Sequence, residues 1–221
     1  MVNPSNETAG AARRGPGAMR AVEVMLCLLT APLWGLLVVL LATLVRLVDG
    51  APAFFRQERA GLGGSPFILV KLRTMRTGEG SDAARLTRLG RVLRRTSLDE
   101  LPELWQVLTG RLALVGPRPL PVRYLPRYTP EQMRRHDVRP GLTGWAQVHG
   151  RNALSWEDRF QLDVWYAAHR TFWLDMRILG MTVGQVLAGR GVAADDEATM
   201  HEFQGAAAQS AKSGKKRQAN T

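Results

Sequence analysis

The pattern of apolar and polar positions divides the chain into four parts. Residues 1–20 are polar and rich in Gly and Ala, and residues 24–45 form a run of 22 positions without a charged side chain. Residues 49–192 mix apolar and charged positions, and the C-terminal stretch is acidic, then rich in Ala, Gln and Lys. We therefore predict a flexible basic arm (1–20), a membrane helix (21–48), one compact domain (49–192) and a disordered tail (193–221).

The apolar run is long enough to cross the hydrocarbon core of a bilayer, but Pro32 lies near its middle. A proline there removes a backbone hydrogen bond and bends the helix. Arginines flank both ends of the run, so the positive-inside rule gives no orientation. A re-entrant helix that breaks at Pro32 and returns to its side of entry explains both observations. A straight span is an equal alternative from the sequence alone.

Within residues 49–192 the pattern predicts an α+β fold that is mainly helical, with a few short strands. Apolar runs at 66–72 and 112–115 have the length of strands. Basic or amphipathic helices are predicted at 87–94, 155–169 and 172–187. The best-marked helix start is the S-x-x-E capping box of Ser97 and Glu100, which apolar residues follow at helical spacing.

Charge narrows the classes of partner. Thirty Lys and Arg against 19 Asp and Glu give a net charge of +11, which indicates an anionic partner such as nucleic acid, a membrane surface or a phosphorylated metabolite. The basic residues are interleaved with acidic and apolar ones instead of forming a stripe, so we expect no nucleic-acid partner. The single cysteine, Cys27, excludes an internal disulfide and a multi-cysteine zinc site.

Two adjacent carboxylates, Asp99 and Glu100, are the candidate catalytic residues. At a helix start the dipole favours their ionised forms, and free backbone N–H groups can hold a phosphate. Arg94, Arg95 and Arg118 are candidates to offset the repulsion between a carboxylate and a phosphate, and Mg²⁺ held by the carboxylates is the usual complement. Helix capping alone explains the same acidic residues, so spacing leaves both interpretations open.

Five segments together resemble a known family. They are FFRQERAG (54–61), KLRTM (71–75), TSLDELPEL (96–104), LVGPRP (114–119) and RPGLTGW (139–145). With these segments the chain resembles the bacterial sugar transferases from about residue 22 to residue 192. More narrowly, it is similar to the small monotopic phosphoglycosyl transferases that start glycan and exopolysaccharide assembly on polyprenol phosphate.

The resemblance implies a two-step transfer. Asp99 would attack the sugar-bearing phosphorus of a UDP-sugar and release UMP, and polyprenol (undecaprenyl) phosphate would then attack the aspartyl-bound sugar phosphate. Glu100 would assist in metal binding or proton handling. Four basic residues would contact substrate phosphates: Lys71, Arg94, Arg118 and Arg139. The expected Mg²⁺ ligands are Asp99, Glu100 and Asp175.

The resemblance also implies a location and partners. We expect a re-entrant helix broken at Pro32, with the catalytic domain and its amphipathic interfacial helices on the cytoplasmic face of the bacterial inner membrane, in contact with membrane lipids. Family members often carry Ser before this proline, where this chain has Ala31. A homodimer is left open. Two other interpretations are a non-enzymatic, membrane-anchored basic module that binds anionic lipid, and a transferase that uses another nucleotide donor.

Overall fold

The computed structural model describes residues 17–150, 154–187 and 202–205. The α-helices are α1 (Gly17–Val48), α2 (Asp82–Arg85), α3 (Arg88–Arg95), α4 (Glu103–Leu108), α5 (Pro130–Met133), α6 (Trp145–Val148), α7 (Trp156–His169) and α8 (Phe172–Leu187). The strands are β1 (Phe54–Ala60), β2 (Pro66–Leu72), β3 (Ala113–Val115) and β4 (Gly141–Thr143). Short 3₁₀ turns cover Leu62–Gly64, Leu98–Glu100, Val122–Arg127 and Arg134–Asp137. The prediction of a mainly helical chain with a few short strands is confirmed.

The strands form two separate pairs. β1 and β2 are antiparallel, in a register that runs from Phe54 opposite Leu72 to Ala60 opposite Pro66. β3 and β4 are parallel. Glycine is required where the ends of this second pair meet, because a Cβ on Gly116 would lie 2.3 Å from the Arg139 carbonyl oxygen. The GPRP and RPGLTG segments, which are distant in sequence, are therefore packed backbone to backbone.

The main core lies between β2, β3, α4, α7 and α8, and it also includes residues of α1. Its fully buried members include Val107, Leu112, Val115, Tyr166 and Ile178. Two smaller clusters flank it. One is aromatic and is centred on Tyr124 and Phe160, and the other joins Val45 of α1 to Leu72 and Leu93.

Helix α1 runs through Pro32 without interruption, so the prediction that the helix breaks there is wrong for this structure. Proline removes only its own N–H, and a helix can continue past it with a bend. Side-chain donors add hydrogen bonds around this position. The Thr30 hydroxyl donates to the Leu26 carbonyl at 2.7 Å, and the Trp34 indole donates to the Cys27 carbonyl at 3.0 Å.

The two ends of α1 pack on the domain, whereas its middle does not. Near the N-terminal end Met19 and Cys27 are at most 2 % exposed, and near the C-terminal end Val45 is fully buried. None of residues 28–40 is buried, and Leu29 and Leu33 are more than 70 % exposed. Residues 19–48 are apolar and long enough to cross a membrane, judged by length and composition.

The helix begins four residues earlier than the predicted membrane segment, inside the stretch assigned to the basic arm. Arg20, from that stretch, donates hydrogen bonds to the carbonyls of Val107 and Leu108 at 2.6 and 2.8 Å. Arg20 therefore anchors α1 to α4. The rest of the predicted arm, residues 1–16, lies outside the described residues.

A short piece of the C-terminal stretch is ordered against the domain. Phe203 is fully buried in the aromatic cluster, so the disorder predicted for 193–221 does not hold for residues 202–205. Composition favoured disorder because these positions are surrounded by Ala, Gln and charged residues. The buried Phe203 ring and the hydrogen bonds of the Phe203 backbone to Tyr124 and Arg127 hold the segment on the domain. Residues 193–201 and 206–221 lie outside the described residues.

Candidate active site

The segment that carries the two candidate carboxylates does not start a helix at Ser97. Ser97 adopts a left-handed backbone conformation with φ of 56°, and its side chain caps nothing. Leu98–Glu100 form a 3₁₀ turn, and α4 starts only at Glu103, after Pro102. The predicted capping box is therefore wrong, because a left-handed residue does not have the extended backbone of an N-cap. Glu100 is therefore not explained as the partner of Ser97 in a capping box.

Asp99 is buried in this turn and faces a lysine. Its side chain is 5 % exposed, and its Oδ2 lies 3.9 Å from Nζ of Lys71, which strand β2 places beside the turn. Burial raises the pKa of Asp99, as does the charge of Glu100, while Lys71 and Arg94 act in the opposite direction. Burial lowers the pKa of Lys71, against the charge of Asp99. Each group therefore stabilises the charged form of the other.

Glu100 is held by the arginine of the GPRP turn. Nη2 of Arg118 donates to Oε1 of Glu100 at 2.8 Å. The charge of Glu100 is the main cause that raises the pKa of Arg118. The Arg118 carbonyl in turn accepts a hydrogen bond from Nη2 of Arg135 at 2.8 Å. The structure thus brings Arg118, predicted from the sequence, to the carboxylate pair.

Arg94 reaches the same region from the last turn of α3. Its Nε donates to the Thr74 hydroxyl at 2.9 Å. Burial lowers the pKa of Arg94, and the charge of Asp99 acts against this. Of the four predicted phosphate-binding residues, Lys71, Arg94 and Arg118 therefore share one electrostatic environment with the Asp-Glu pair.

The fourth predicted phosphate-binding residue, Arg139, forms its ion pair away from Asp99 and Glu100. Its Nη2 lies 3.7 Å from Oε2 of Glu23, a fully buried residue of α1 that accepts a hydrogen bond from the Leu114 N–H at 3.0 Å. Within the described residues no hydrogen bond or ion pair joins Arg139 to Asp99 or Glu100. The segment that carries Arg139 does approach the site through its backbone, beside Gly116.

Asp175 is also engaged away from the pair. Its Oδ1 accepts a hydrogen bond from the Tyr166 hydroxyl at 2.5 Å, and its Oδ2 accepts one from Nε of Arg170 at 3.2 Å. Both carboxylate oxygens thus tie the start of α8 to α7. The structure does not place Asp175 with Asp99 and Glu100 as a metal ligand.

Two residues of the site were not predicted from the sequence. Glu103 is 4 % exposed, and burial together with the charge of Glu100 raises its pKa to about 8. Burial and the nearby Arg118 lower the pKa of Arg59 to about 10, and Nη1 of Arg59 donates to the Pro119 carbonyl at 3.1 Å. Both lie in segments already singled out, ELPEL and FFRQERAG, so charge within those segments was the signal that could have found them.

The arrangement combines a buried carboxylate, a second carboxylate beside it and several cations. Such a cluster can bind a phosphate group and hold a carboxylate next to it. Within the parts of the chain described, no three His, Cys, Asp or Glu residues form a ready-made metal site. The adjacent carboxyl groups of Asp99 and Glu100 nevertheless suit Mg²⁺, which commonly takes one or two carboxylates and completes its shell with water and substrate phosphate.

Comparison with known proteins agrees with this chemistry. The family model described as bacterial sugar transferase matches residues 16–189. The chain is 53 % identical over 167 residues to EpsL of Bacillus subtilis, an uncharacterized sugar transferase, covering 73 % of this chain and 83 % of EpsL. It is 40 % identical over 184 residues to a UDP-glucose:undecaprenyl-phosphate glucose-1-phosphate transferase of Caulobacter vibrioides, covering 76 % and 69 % of the two chains.

A third relative has a different sugar in its name. It is the UDP-N-acetylgalactosamine-undecaprenyl-phosphate N-acetylgalactosaminephosphotransferase of Aeromonas hydrophila, 34 % identical over 186 residues, which are 78 % of this chain and 44 % of the relative. The family model covers most of the chain, and the resemblance seen in the five motifs is confirmed. The protein belongs to the bacterial sugar transferase family and is an enzyme of the phosphoglycosyl transferase type.

Proposed function

We propose that the protein transfers a sugar-1-phosphate from a UDP-sugar to undecaprenyl phosphate and releases UMP, through a covalent intermediate on Asp99. The substrate classes follow the names of the relatives from Caulobacter and Aeromonas. The observation that carries the proposal is the placement of Asp99, a buried carboxylate 3.9 Å from the Lys71 ammonium and beside the Glu100–Arg118 ion pair.

In the first step an Asp99 oxygen attacks the sugar-bearing phosphorus, and the P–O bond to the UMP phosphate breaks with its electron pair leaving on UMP. In the second step an oxygen of undecaprenyl phosphate attacks the same phosphorus and the Asp99 carboxylate leaves. Each step forms one P–O bond and breaks another at the same phosphorus, so no co-reactant is needed. One displacement becomes two easier ones.

The cations around Asp99 make this attack feasible. A carboxylate and a diphosphate repel each other, and fixed positive charge in a partly buried site reduces that repulsion more than it would in water. In this proposal Lys71 keeps Asp99 ionised, and Arg94 and Arg118, whose charges also act on Asp99, bind the phosphate oxygens. With a pKa of about 8, Glu103 keeps its proton at neutral pH and adds no third negative charge.

Magnesium fits the carboxylate pair, and Asp99 and Glu100 are the residues that would hold it. A bound Mg²⁺ supplies positive charge to the phosphate oxygens and orients the diphosphate. In this assignment Glu100 is shared between Arg118 and the cation, whereas Asp175 takes no part because its oxygens are occupied by Tyr166 and Arg170.

The proposal includes a membrane topology in which α1, continuous as a helix but bent at Pro32, enters and leaves on the same face. Both of its ends are buried against one domain, at Met19 and at Val45, and the exposed leucines lie between them. A straight span would carry one end about 30 Å away, across the hydrocarbon core. We place the domain on the cytoplasmic face of the inner membrane, where the nucleotide sugar is made.

Topology can be tested separately from activity. The only native cysteine is Cys27, so a Cys27→Ala background permits single cysteines at positions 17 and 50. A membrane-impermeant maleimide should label both positions, or neither, from a given side of sealed vesicles. Labelling of one position from each side would contradict the re-entrant topology.

The reaction itself is tested by UMP release. Purified protein with undecaprenyl phosphate and Mg²⁺ should release UMP from at least one member of a panel of UDP-glucose, UDP-galactose and their N-acetyl forms. Omission of the lipid phosphate should stop turnover after about one UMP per protein. Release of UDP instead of UMP would contradict the proposal, because it would mean transfer of the sugar without its phosphate.

A further inference from the structure

The segment at residues 202–205, called here the C-terminal strap, fills an aromatic socket on the domain. The socket consists of Tyr124, Tyr128, Trp156 and Phe160. The Phe203 ring lies 5.0 Å from Phe160 and 5.7 Å from Tyr124 in edge-to-face contacts, and it stacks 5.6 Å from Tyr128. Aromatic pairs at such distances are worth about 0.5–1.5 kcal/mol each beyond the area they bury.

Polar contacts fix the strap in one orientation. The Phe203 N–H donates to the Tyr124 hydroxyl at 3.3 Å, and Nη1 of Arg127 donates to the Phe203 carbonyl at 2.5 Å. The Glu202 carboxylate lies 3.0 Å from Arg127 and 3.1 Å from Arg123. These ion pairs are largely exposed and contribute little, so the buried ring and the backbone bonds hold the segment.

The strap lies outside the part of the chain that the family match covers. The match ends at residue 189, thirteen positions before Glu202. The socket lies inside the match, and the segment that carries Tyr124 and Tyr128 directly follows the GPRP turn. A feature beyond the shared domain therefore packs on the segment next to a site residue.

Backbone contacts connect the socket segment to the site. The Ala60 N–H donates to the Leu120 carbonyl at 2.9 Å, and the Arg59 guanidinium donates to the Pro119 carbonyl at 3.1 Å. The stretch from Arg118 to Tyr128 is thus fixed on the β1 side by these bonds. Further along the same stretch, Tyr124 and Tyr128 pack against Phe203.

Arg135 makes a second connection through the same rings. Its guanidinium lies 6.0 Å from the Tyr128 ring and 5.7 Å from the Phe160 ring, and it donates to the Arg118 carbonyl at 2.8 Å. Oδ2 of Asp163 lies 2.7 Å from Nη2 of Arg135 and forms an ion pair with it. The two rings that hold Arg135 also contact Phe203, so a loss of Phe203 would loosen the support of Arg118.

We propose that the C-terminal strap is a positioning device and that Phe203 is its positioning residue. Insertion of Phe203 into the socket holds the 118–128 segment, and with it the Arg118 side chain, in the site. The socket is accordingly a docking site for an acidic–aromatic segment of this same chain. The effect on activity depends on the proposed function, whereas the docking and the positioning of the segment do not.

The first test measures docking without activity. Full-length Phe203→Ala leaves the socket without its ring, and a fluorescent peptide of residues 199–208 (TMHEFQGAAA) is titrated into it. The labelled peptide should bind Phe203→Ala and be excluded by the native strap of the wild type. The same peptide with Phe replaced by Ala should not bind. Equal binding of both peptides, or of neither, would overturn the proposal.

The second test measures positioning. In Phe203→Ala, backbone amide exchange should accelerate in 118–128, and exchange in α8 should keep its wild-type rate. Gln204→Ala, an exposed neighbour in the strap, is the matched control and should leave both unchanged. Phe203→Leu, which keeps most of the apolar volume, should lie between the two variants. Uniform acceleration throughout the protein, or none in 118–128, would contradict a positioning role.

The third test separates this inference from the proposed function. Phe203→Ala should raise KM for the UDP-sugar about tenfold with a smaller change in kcat, since misplacement of a binding group by about 1 Å can cost up to about 10²-fold. Adding the unlabelled peptide should restore KM. Unchanged KM, or a loss that the peptide does not reverse, would overturn the positioning of Arg118. Absence of turnover in the wild type would refute the proposed function. The peptide-binding and amide-exchange tests would still decide whether the strap docks and positions the 118–128 segment.

Discussion

Nζ of Lys71 lies 3.9 Å from Oδ2 of Asp99, and both side chains are largely removed from water. The antiparallel pairing of β1 and β2 fixes the lysine, and the 3₁₀ turn after Ser97 fixes the carboxylate. An isolated Asp in this position would take up a proton more readily, because burial raises its pKa. The lysine is therefore the main local reason to expect a nucleophile that is ionised at neutral pH.

Replacing Lys71 by Met should shift the pH dependence of turnover. The Lys71 charge lowers the pKa of Asp99, so its removal raises that pKa and decreases the ionised fraction at a given pH. The acidic limb of the kcat/KM profile should move to higher pH, by about one unit if the lost interaction is about 1.4 kcal/mol. Lys71→Arg should keep most of the wild-type profile. An equal loss at every pH would mean that Lys71 acts on the substrate and not on Asp99.

Arg118 and Glu100 should show coupled effects on activity. Their 2.8 Å ion pair ties the GPRP turn to the Leu98–Glu100 turn, and the Arg118 side chain is 40 % exposed, so its effect on stability is small. We expect Arg118→Ala to raise KM for the UDP-sugar about tenfold or more, since a charge-assisted contact is worth about 1.5–3 kcal/mol. The double variant Glu100→Gln with Arg118→Ala should lose less than the sum of the single variants. Strict additivity of the two free-energy changes would show that the pair does not act together.

Glu103 should make the protein less stable as pH rises. Its pKa is raised from 4.5 to about 8 in the folded state, so between these values the unfolded chain has lost the proton that the folded chain still holds. The free energy of unfolding therefore has a contribution that is full below about pH 4.5 and declines up to about pH 8. Glu103→Gln should raise the thermal midpoint relative to the wild type at pH 8, and this advantage should shrink towards pH 5. Glu157→Gln, at an exposed position, is the control and should show no such trend.

Gly116→Ala should disrupt the contact between the GPRP and RPGLTG segments. The added Cβ would lie 2.3 Å from the Arg139 carbonyl oxygen and 2.8 Å from the Gly141 nitrogen, so the backbone must shift. We expect the free energy of unfolding to fall by about 1–3 kcal/mol, the usual range for overpacking, and the activity to be lost. Gly184→Ala is the matched control, because nothing lies within 4 Å of its Cβ position and Ala favours the interior of α8 by up to about 1 kcal/mol. A neutral Gly116→Ala variant would contradict the close packing of the two segments.

The sequence indicated which residues lie near Asp99 and Glu100 better than it predicted the local backbone. Lys71, Arg118 and the Asp-Glu pair lie in long motifs, Arg94 lies two residues before one of them, and the structure brings all five residues together. The capping box at Ser97 failed because its spacing is a purely local signal, whereas the turn that follows Ser97 packs against β2 and α3. Glu103 was missed because the raised pKa that distinguishes it arises from burial, which spacing alone does not show.

Two other differences come from long-range contacts. Composition favoured disorder around Phe203, but the socket that binds it is assembled from residues 124–160, far away in sequence. Asp175 and Arg139 looked like site residues because they are charged and stand in or near recognisable motifs. In the folded chain Arg139 lies 3.7 Å from Glu23 of α1, and Asp175 is engaged by Tyr166 and by Arg170. A linear pattern does not distinguish a charge that binds substrate from one that anchors a helix.

The central claim, a covalent bond between Asp99 and phosphorus, is tested most directly by trapping that adduct. The protein is incubated with the active UDP-sugar in the absence of undecaprenyl phosphate, quenched in acid, and its mass and proteolytic peptides are measured. The account predicts a sugar phosphate on the peptide that contains Asp99, released by later addition of undecaprenyl phosphate and absent in Asp99→Asn. Product formation at a normal rate by Asp99→Asn, or an adduct located on another residue, would contradict it.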